Sequence, residues 1–168
     1  MKSNFQCLLK DLHTQMDALF RFPPEAVIRA AATAKPQILA LLAEHFAAVY
    51  GLAAPQVLEG LEERERLGST GFGRGVAIPH ARLEEFGRPA VVLLQLEQPC
   101  DFDAADGMPV DLVFGLLSSA HAGANHLHAL AAISRLVRDE ETHRQLVAAP
   151  DTAALYALIA SAVDRDAA

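Results

Sequence analysis

A glycine-rich segment followed by a histidine is the part of the sequence with the clearest capacity for chemistry. Four glycines lie among the eight residues from Gly68 to Gly75, with the hydroxyls of Ser69 and Thr70 beside them. This density of glycine predicts a loop, and successive backbone N–H groups in such a loop can form an anion-binding site. His80 follows a short extended segment, and a neutral imidazole is a competent phosphoryl acceptor near neutral pH. The pattern alone also fits a surface histidine that stabilises a turn.

The loop does not match the glycine motifs that bind nucleotides. Gly68 and Gly73 have the spacing of a P-loop, but Arg74 and Gly75 follow where that motif needs Lys and then Ser or Thr. The dinucleotide fingerprint also fails, because its last glycine is not at the required spacing. Both motifs should follow a strand and open a helix, whereas this loop follows a predicted helix. The sequence therefore argues against nucleotide binding, and we expect no cofactor.

Three histidines close together, at positions 121, 126 and 128, raise the question of a metal site. On a helix, which turns by about 100° per residue, His126 and His128 lie about 200° apart. No pair among the three has the i,i+4 spacing of a helical zinc site. We therefore expect no metal, and we expect His126 and His128 to face different surroundings.

Composition narrows the partners and the compartment. The net charge is −7 and Lys and Arg form no stripe, which argues against nucleic acid, because phosphate contacts need clustered basic residues. No apolar run reaches the roughly 18 to 20 residues that span a bilayer, so we expect no membrane insertion. Lys10 and Asp11 stand where a signal peptide would need an apolar core. The predicted compartment is the cytoplasm.

Helical and strand patterns alternate along the chain. The predicted helices span residues 5–20, 36–50, 55 to about 66, 122–137, 140–148 and 152–163. The predicted extended segments span residues 26–32, 76–80, 90–96 and 110–117, with loops over 68–75 and 97–108. Gly51 is expected to end one helix and Asp151 to cap another. The pattern predicts an α/β fold in which helices cover a mixed sheet.

Residues 36 to 162 resemble the enzyme IIA family of the bacterial phosphotransferase system, mannitol/fructose type. The motifs that carry the resemblance are Arg64-Glu65, GSTGFG from Gly68, VAIPH ending at His80, DFD at 101–103, PVDL at 109–112, LL at 116–117 and HLHAL at 126–130. Within that family the chain is most similar to the nitrogen-regulatory IIA proteins, which stand alone without transporter domains. Ala81 and Arg82 follow His80, where the family often has Gly and then Lys or Arg.

The resemblance implies a site and a fold. His80 would accept a phosphoryl group from a phosphohistidine on an HPr-like carrier protein. Arg64 and His126 would be the other catalytic residues. The hydroxyls of Ser69 and Thr70 in the loop lead us to expect that these two residues bind phosphate. The implied fold is a three-layer α/β/α domain with four to five strands, which we place over residues 25–168. The first 35 residues match the family poorly, and their apolar spacing predicts a helical extension over residues 1–24. Two other interpretations stay open: Arg64 on a solvated helix face, and Ser69 and Thr70 as turn residues.

Three functions remain in competition at this point. The first is a regulatory phosphoryl carrier, a phosphotransferase-type protein whose phosphorylation state decides which proteins it binds. The second is a sugar-specific IIA component that passes the phosphoryl group to a IIB partner for uptake. The third is a binding module in which His80 is never phosphorylated. The sequence favours the first over the second because it shows no fused transport domain, it leaves a homodimer open, and it names no downstream target.

Overall fold

The computed structural model describes residue 16 and residues 18–167. Most of the helix predicted over residues 5–20, and most of the predicted extension over residues 1–24, lies outside the described residues. Residues 16, 18 and 19 are helical, and Met16 and Phe20 are buried in the hydrophobic core. The division of the chain at residue 24 stays a prediction.

The centre of the fold is a mixed sheet. The described residues form six strands, Val27–Ala30 (β1), Gly71–Gly73 (β2), Val76–Ala77 (β3), His80–Leu83 (β4), Ala90–Cys100 (β5) and Val110–Ser119 (β6). Their order is β1-β5-β6-β3-β2, and β4 also pairs with β6. Strands β3 and β4 run parallel to β6, whereas β5 runs antiparallel to it. The prediction of a mixed α/β sheet is confirmed.

The predicted count of four to five strands is too low, for two physical reasons. The glycine-rich segment was expected to be a loop, but Gly71–Gly73 pairs antiparallel with β3. The extended segment before His80 is divided in two, because Pro79 has no N–H to donate to the neighbouring strand. Strand β5 also continues to Cys100, through residues expected to lie in a loop, and pairs there with Val110 after a register shift.

The helices agree closely with those expected. They span Lys35–Tyr50 (α1), Ala54–Arg66 (α2), Ala124–Arg138 (α3), Glu140–Ala148 (α4) and Thr152–Ala167 (α5), and a 3₁₀ turn spans Pro24–Ala26. Gly51 ends α1 at a φ of 70°, and Asp151 caps α5 by accepting a 2.8 Å hydrogen bond from Ala154 N–H. Within the described residues, no helix is long and apolar enough to cross a membrane.

Strand β6 separates two helical layers, and this arrangement decides which groups can reach the site. At Gly115 an added Cβ would lie 2.8 Å from the ring of Phe46, so this face packs closely against α1. Ser118 lies on the other face, because side chains alternate along a strand, and its hydroxyl contacts His126 of α3. The sheet therefore lies between α1 and α3, and the three-layer α/β/α prediction is confirmed.

Candidate phosphoryl-transfer site

His80 is the first residue of β4, and its ring is held at both nitrogens. Nδ1 lies 2.8 Å from the carbonyl oxygen of Ile78. Because a carbonyl can only accept, Nδ1 carries the ring proton and donates it. Nε2 then has a lone pair, which accepts a 3.1 Å hydrogen bond from Nε of Arg64. The neutral ring therefore exposes Nε2 as its nucleophilic nitrogen.

The pKa of His80 supports a neutral ring. Burial lowers this pKa most, because it disfavours the charged imidazolium. The positive charges of Arg64 and Arg82 lower it further, against opposing effects of the Ile78 carbonyl and Glu65. The imidazole is therefore unprotonated at Nε2, and so able to attack, at neutral pH.

Arg64 lies in the last turn of α2 and joins the glycine-rich segment to the histidine. Its Nε donates to His80, and its Nη1 donates to the carbonyl oxygen of Gly68 over 2.9 Å. Two positions further on, Arg66 is exposed and forms the i,i+4 ion pair with Glu62 that a solvated helix face predicts. Of the two arginines in this run, Arg64 is the one directed at the histidine, and its catalytic role stays a prediction.

His126 lies in the first turn of α3 and is only 4% exposed. Its ring centroid is 5.6 Å from that of His80, at an angle of 51°. Its Nδ1 forms a hydrogen bond with the hydroxyl of Ser118. Burial lowers the pKa of His126 to about 4, helped by the charge of Arg82, so this ring is also neutral at pH 7. His128 is exposed, as the helical spacing predicts.

Ser69 and Thr70 use their hydroxyl protons to hold the segment in place. The Thr70 hydroxyl donates to a carboxylate oxygen of Glu65 over 2.5 Å, and the Thr70 backbone N–H bonds the same carboxylate. The Ser69 hydroxyl donates to the carbonyl oxygen of Phe102 over 2.7 Å. Both residues would have to exchange these partners to donate to a phosphate. Their phosphate-binding role stays a prediction.

Glu65 and Lys35 anchor the same segment to the first helix. Lys35 lies 3.0 Å from Glu65 and 2.9 Å from Asp103, and its ammonium group is 4.8 Å from the centre of the Phe102 ring. Sequence reasoning gave Glu65 only a place in a motif, because its ion-pair partner Lys35 lies 30 positions earlier in the chain. In the fold, its carboxylate holds Thr70, and with it the glycines that follow, next to the last turn of α2, which carries Arg64.

Arg82 is a site residue to which the sequence analysis gave no role. It follows His80 by two positions on β4, and residues at this spacing lie on the same face of a strand. Its side chain is exposed and forms no hydrogen bond or ion pair with the described residues, yet its charge lowers the pKa of both His80 and His126. The i,i+2 spacing from His80 would have identified it only if the predicted extended segment had continued past residue 80, as β4 does.

Together these residues form a compact arrangement suited to an anionic group. A neutral imidazole offers a lone pair, a second neutral imidazole lies beside it, and two guanidinium groups supply positive charge. Phosphoryl transfer asks the protein mainly for positioning and for stabilisation of negative charge. The arrangement is therefore chemically suited to accepting a phosphoryl group.

Comparisons with known proteins point to the same chemistry. Residues 22–162 match the family described as "Phosphoenolpyruvate-dependent sugar phosphotransferase system, EIIA 2". A nitrogen regulatory protein of Bradyrhizobium diazoefficiens is 44% identical over 138 residues, which cover 82% of this chain and 90% of that protein. The fructose-specific EIIA component of Haloferax volcanii is 35% identical over 107 residues, covering 64% of this chain and 70% of that one.

A solved structure extends the likeness to the fold. The nitrogen regulatory protein IIA-Ntr from Neisseria meningitidis superposes with a TM-score of 0.78 and 28% sequence identity. The superposition covers 86% of this chain and 98% of that one. The likeness therefore covers most of this chain.

Proposed function

Because the chain belongs to the EIIA 2 family of the phosphoenolpyruvate-dependent sugar phosphotransferase system, we propose that it is a phosphoryl carrier with His80 as the acceptor. The hydrogen bonds of the His80 ring carry this proposal. Ile78 holds the proton on Nδ1, and the Nε2 lone pair faces Arg64. The donor is a phosphohistidine on an HPr-like carrier protein, and the exchange takes place in the cytoplasm, where phosphoenolpyruvate is made.

The transfer is a displacement at phosphorus. The Nε2 lone pair of His80 forms the new N–P bond, while the N–P bond of the donor breaks and returns its electron pair to the donor ring. No proton has to leave His80, because Nδ1–H stays on the Ile78 carbonyl throughout. That carbonyl also offsets the positive charge that develops on the ring as Nε2 is phosphorylated.

The charges around His80 support the transition state. The transferring group spreads negative charge over three oxygens. As the Nε2 lone pair is used, the guanidinium of Arg64 is released from it and can donate to those oxygens, for which its planar fork is well shaped. Arg82 adds a second positive charge, and His126 brings a second ring to the same side.

We further propose that the carrier is regulatory. Its identity with a nitrogen regulatory protein, 44%, exceeds its identity with a fructose-specific component, 35%. A phosphoryl group on His80 adds roughly −1.5 to −2 charges at one point of the surface, which changes the proteins that can bind there. A sugar-specific IIA component that phosphorylates a IIB partner is the second candidate, favoured by the description of the family itself.

Phosphoryl acceptance is tested by intact mass after incubation with enzyme I, an HPr-like carrier and phosphoenolpyruvate. The wild type and the control His128→Ala should each gain one phosphoryl group, because His128 is exposed and lies away from the site. His80→Ala should gain none while it keeps its fold, checked by circular dichroism. Full labelling of His80→Ala would contradict the assignment.

A second measurement separates the two candidate functions. The phosphorylated protein is mixed with a IIB domain of the fructose or mannitol type, and the loss of its phosphoryl group is followed by mass. A regulatory carrier should keep the group over the time in which a sugar-specific IIA protein, run in parallel, has lost it. Equally fast transfer from both proteins would support the sugar-specific function instead.

A further inference from the structure

Ser118 is a buried hydroxyl that belongs to the site through a single contact. It lies near the end of β6, in register with Arg82 of β4, and is 0% exposed. Its Oγ forms a hydrogen bond with Nδ1 of His126. Within the described residues, this is the only hydrogen bond made by that hydroxyl.

The direction of this hydrogen bond follows from burial. A serine hydroxyl can donate one proton, whereas an imidazole Nδ1 either donates or accepts according to its tautomer. If Nδ1 were the donor, the Ser118 proton would be buried with no acceptor among the described residues, which is costly. If Ser118 donates, the bond satisfies its proton and the Nδ1 lone pair together.

The proton of His126 must then lie on the other nitrogen. The ring is neutral at pH 7, so one of its two nitrogens carries a proton. With Nδ1 accepting from Ser118, that nitrogen is Nε2, which makes no hydrogen bond with the described residues. His80 has the opposite tautomer, because its Nδ1 donates to Ile78. One ring of the pair therefore offers a lone pair and the other offers a donor.

We propose that Ser118 is a positioning residue that fixes His126 as its Nε2–H tautomer, so that His126 donates a hydrogen bond to the phosphoryl group on His80. The hydrogen bond to the phosphoryl group rests on the proposed function, whereas the tautomer of His126 is a property of the unphosphorylated protein. The opposite tautomer would direct a lone pair at the phosphoryl oxygens and repel them. Ser118 thus acts on the reaction through His126 and does not touch the transferring group.

The tautomer is tested by long-range ¹H–¹⁵N correlation NMR of the unphosphorylated protein at pH 7. In the wild type, His126 should show the pattern of an Nε2–H tautomer. Ser118→Ala should lose that preference, and Ser118→Thr should keep it, because threonine retains the hydroxyl in a residue well suited to a strand. Ser119→Ala, which removes the neighbouring hydroxyl of the same strand, should match the wild type. A wild-type pattern in Ser118→Ala would overturn the proposal.

A kinetic cycle tests the consequence. Ser118→Ala should slow phosphoryl transfer about tenfold, the net contribution of one ordinary hydrogen bond, because it weakens the orientation of His126 without removing the ring that donates to the phosphoryl group. In a His126→Ala background the same change should have no further effect, because residues that act through one another are not additive. Equal slowing in both backgrounds would show that Ser118 does not act through His126. A wild type that accepts no phosphoryl group would refute the proposed function, whereas the NMR comparison would still decide the role of Ser118.

Discussion

Replacement of Arg64 tests the site most directly, because this side chain contacts both the acceptor and the glycine-rich segment. Loss of one donor that stabilises transition-state charge costs about 10²–10³ in rate, or about 2.7–4 kcal/mol. We expect Arg64→Ala to slow phosphoryl transfer by that factor. Arg64→Lys should recover only part of it. An ammonium keeps the charge but lacks the planar fork that now reaches His80 and the Gly68 carbonyl together, over 3.1 and 2.9 Å.

The same variant should change the pH dependence in a defined direction. Burial and the charge of Arg64 both lower the pKa of His80. A ring protonated at Nε2 has no lone pair for attack, so the rate falls as the pH drops through that pKa. Removing the guanidinium takes away one cause of the lowered pKa, so the pKa rises. The acid limb of the rate profile of Arg64→Ala should therefore move to higher pH.

Both effects can be measured in one experiment. Single-turnover transfer from the phosphorylated HPr-like carrier is quenched at intervals, and the phosphorylated fraction is read by intact mass across a range of pH. Arg66→Ala is the matched control, because Arg66 lies on the same helix turn but pairs with Glu62 in solvent. A rate for Arg64→Ala within twofold of wild type, or an acid limb that does not move, would show that the contact with His80 has no part in transfer.

Two further predictions concern the surface around His80. Arg82→Gln should slow transfer less than Arg64→Ala, because Arg82 is exposed and its charge is partly screened. It should slow transfer more than the control Arg88→Gln, and equal rates for Arg82→Gln and Arg88→Gln would refute a role for the Arg82 charge. Leu67 and Leu127 are 85% and 61% exposed and lie next to the end of α2 and to His126. We expect these exposed apolar side chains to contact the carrier, so Leu67→Ser and Leu127→Ser should raise the KM for the carrier with little change in kcat. Val147→Ser, at a 41% exposed position of α4, should change neither constant. A lower kcat at unchanged KM would contradict a role in docking.

Local chemistry made several parts of the fold predictable. Gly51 ends α1 because it adopts a positive φ that other residues avoid, and Asp151 caps α5 with its own carboxylate. Strands β5 and β6 could be located from their continuous apolar segments, because a strand without polar alternation is expected to be buried on both faces of the sheet. Each of these features depends on residues that are close together in the sequence, so the sequence alone is enough to predict it.

What the sequence could not predict depends on distant partners. The glycine-rich segment pairs with the neighbouring β3, but β3 is itself held in the sheet by the distant β6, and Gly71 lies so close to Ala104 that an added Cβ would be 2.7 Å away. The glycine-rich segment made His80 a candidate acceptor, but the family motif was needed to favour this role over that of a turn histidine and to indicate a role for Arg64. Ser118 had no local signal, because its importance arises only when α3 places His126 over the end of β6.

The balance of charge around His80 suggests how a partner could distinguish the phosphorylated from the unphosphorylated form without a change of fold. Before phosphorylation, Arg64 and Arg82 surround a neutral His80, while Glu65 is engaged by Lys35. A phosphoryl group brings roughly −1.5 to −2 charges, which is about enough to cancel the two guanidinium groups. A partner that recognises the unphosphorylated form through acidic side chains therefore loses its attraction at this point. The whole chain carries a net charge of −7, so cancelling these two positive charges also removes a local exception to its overall negative charge, and we expect such a partner to bind the phosphorylated form more weakly.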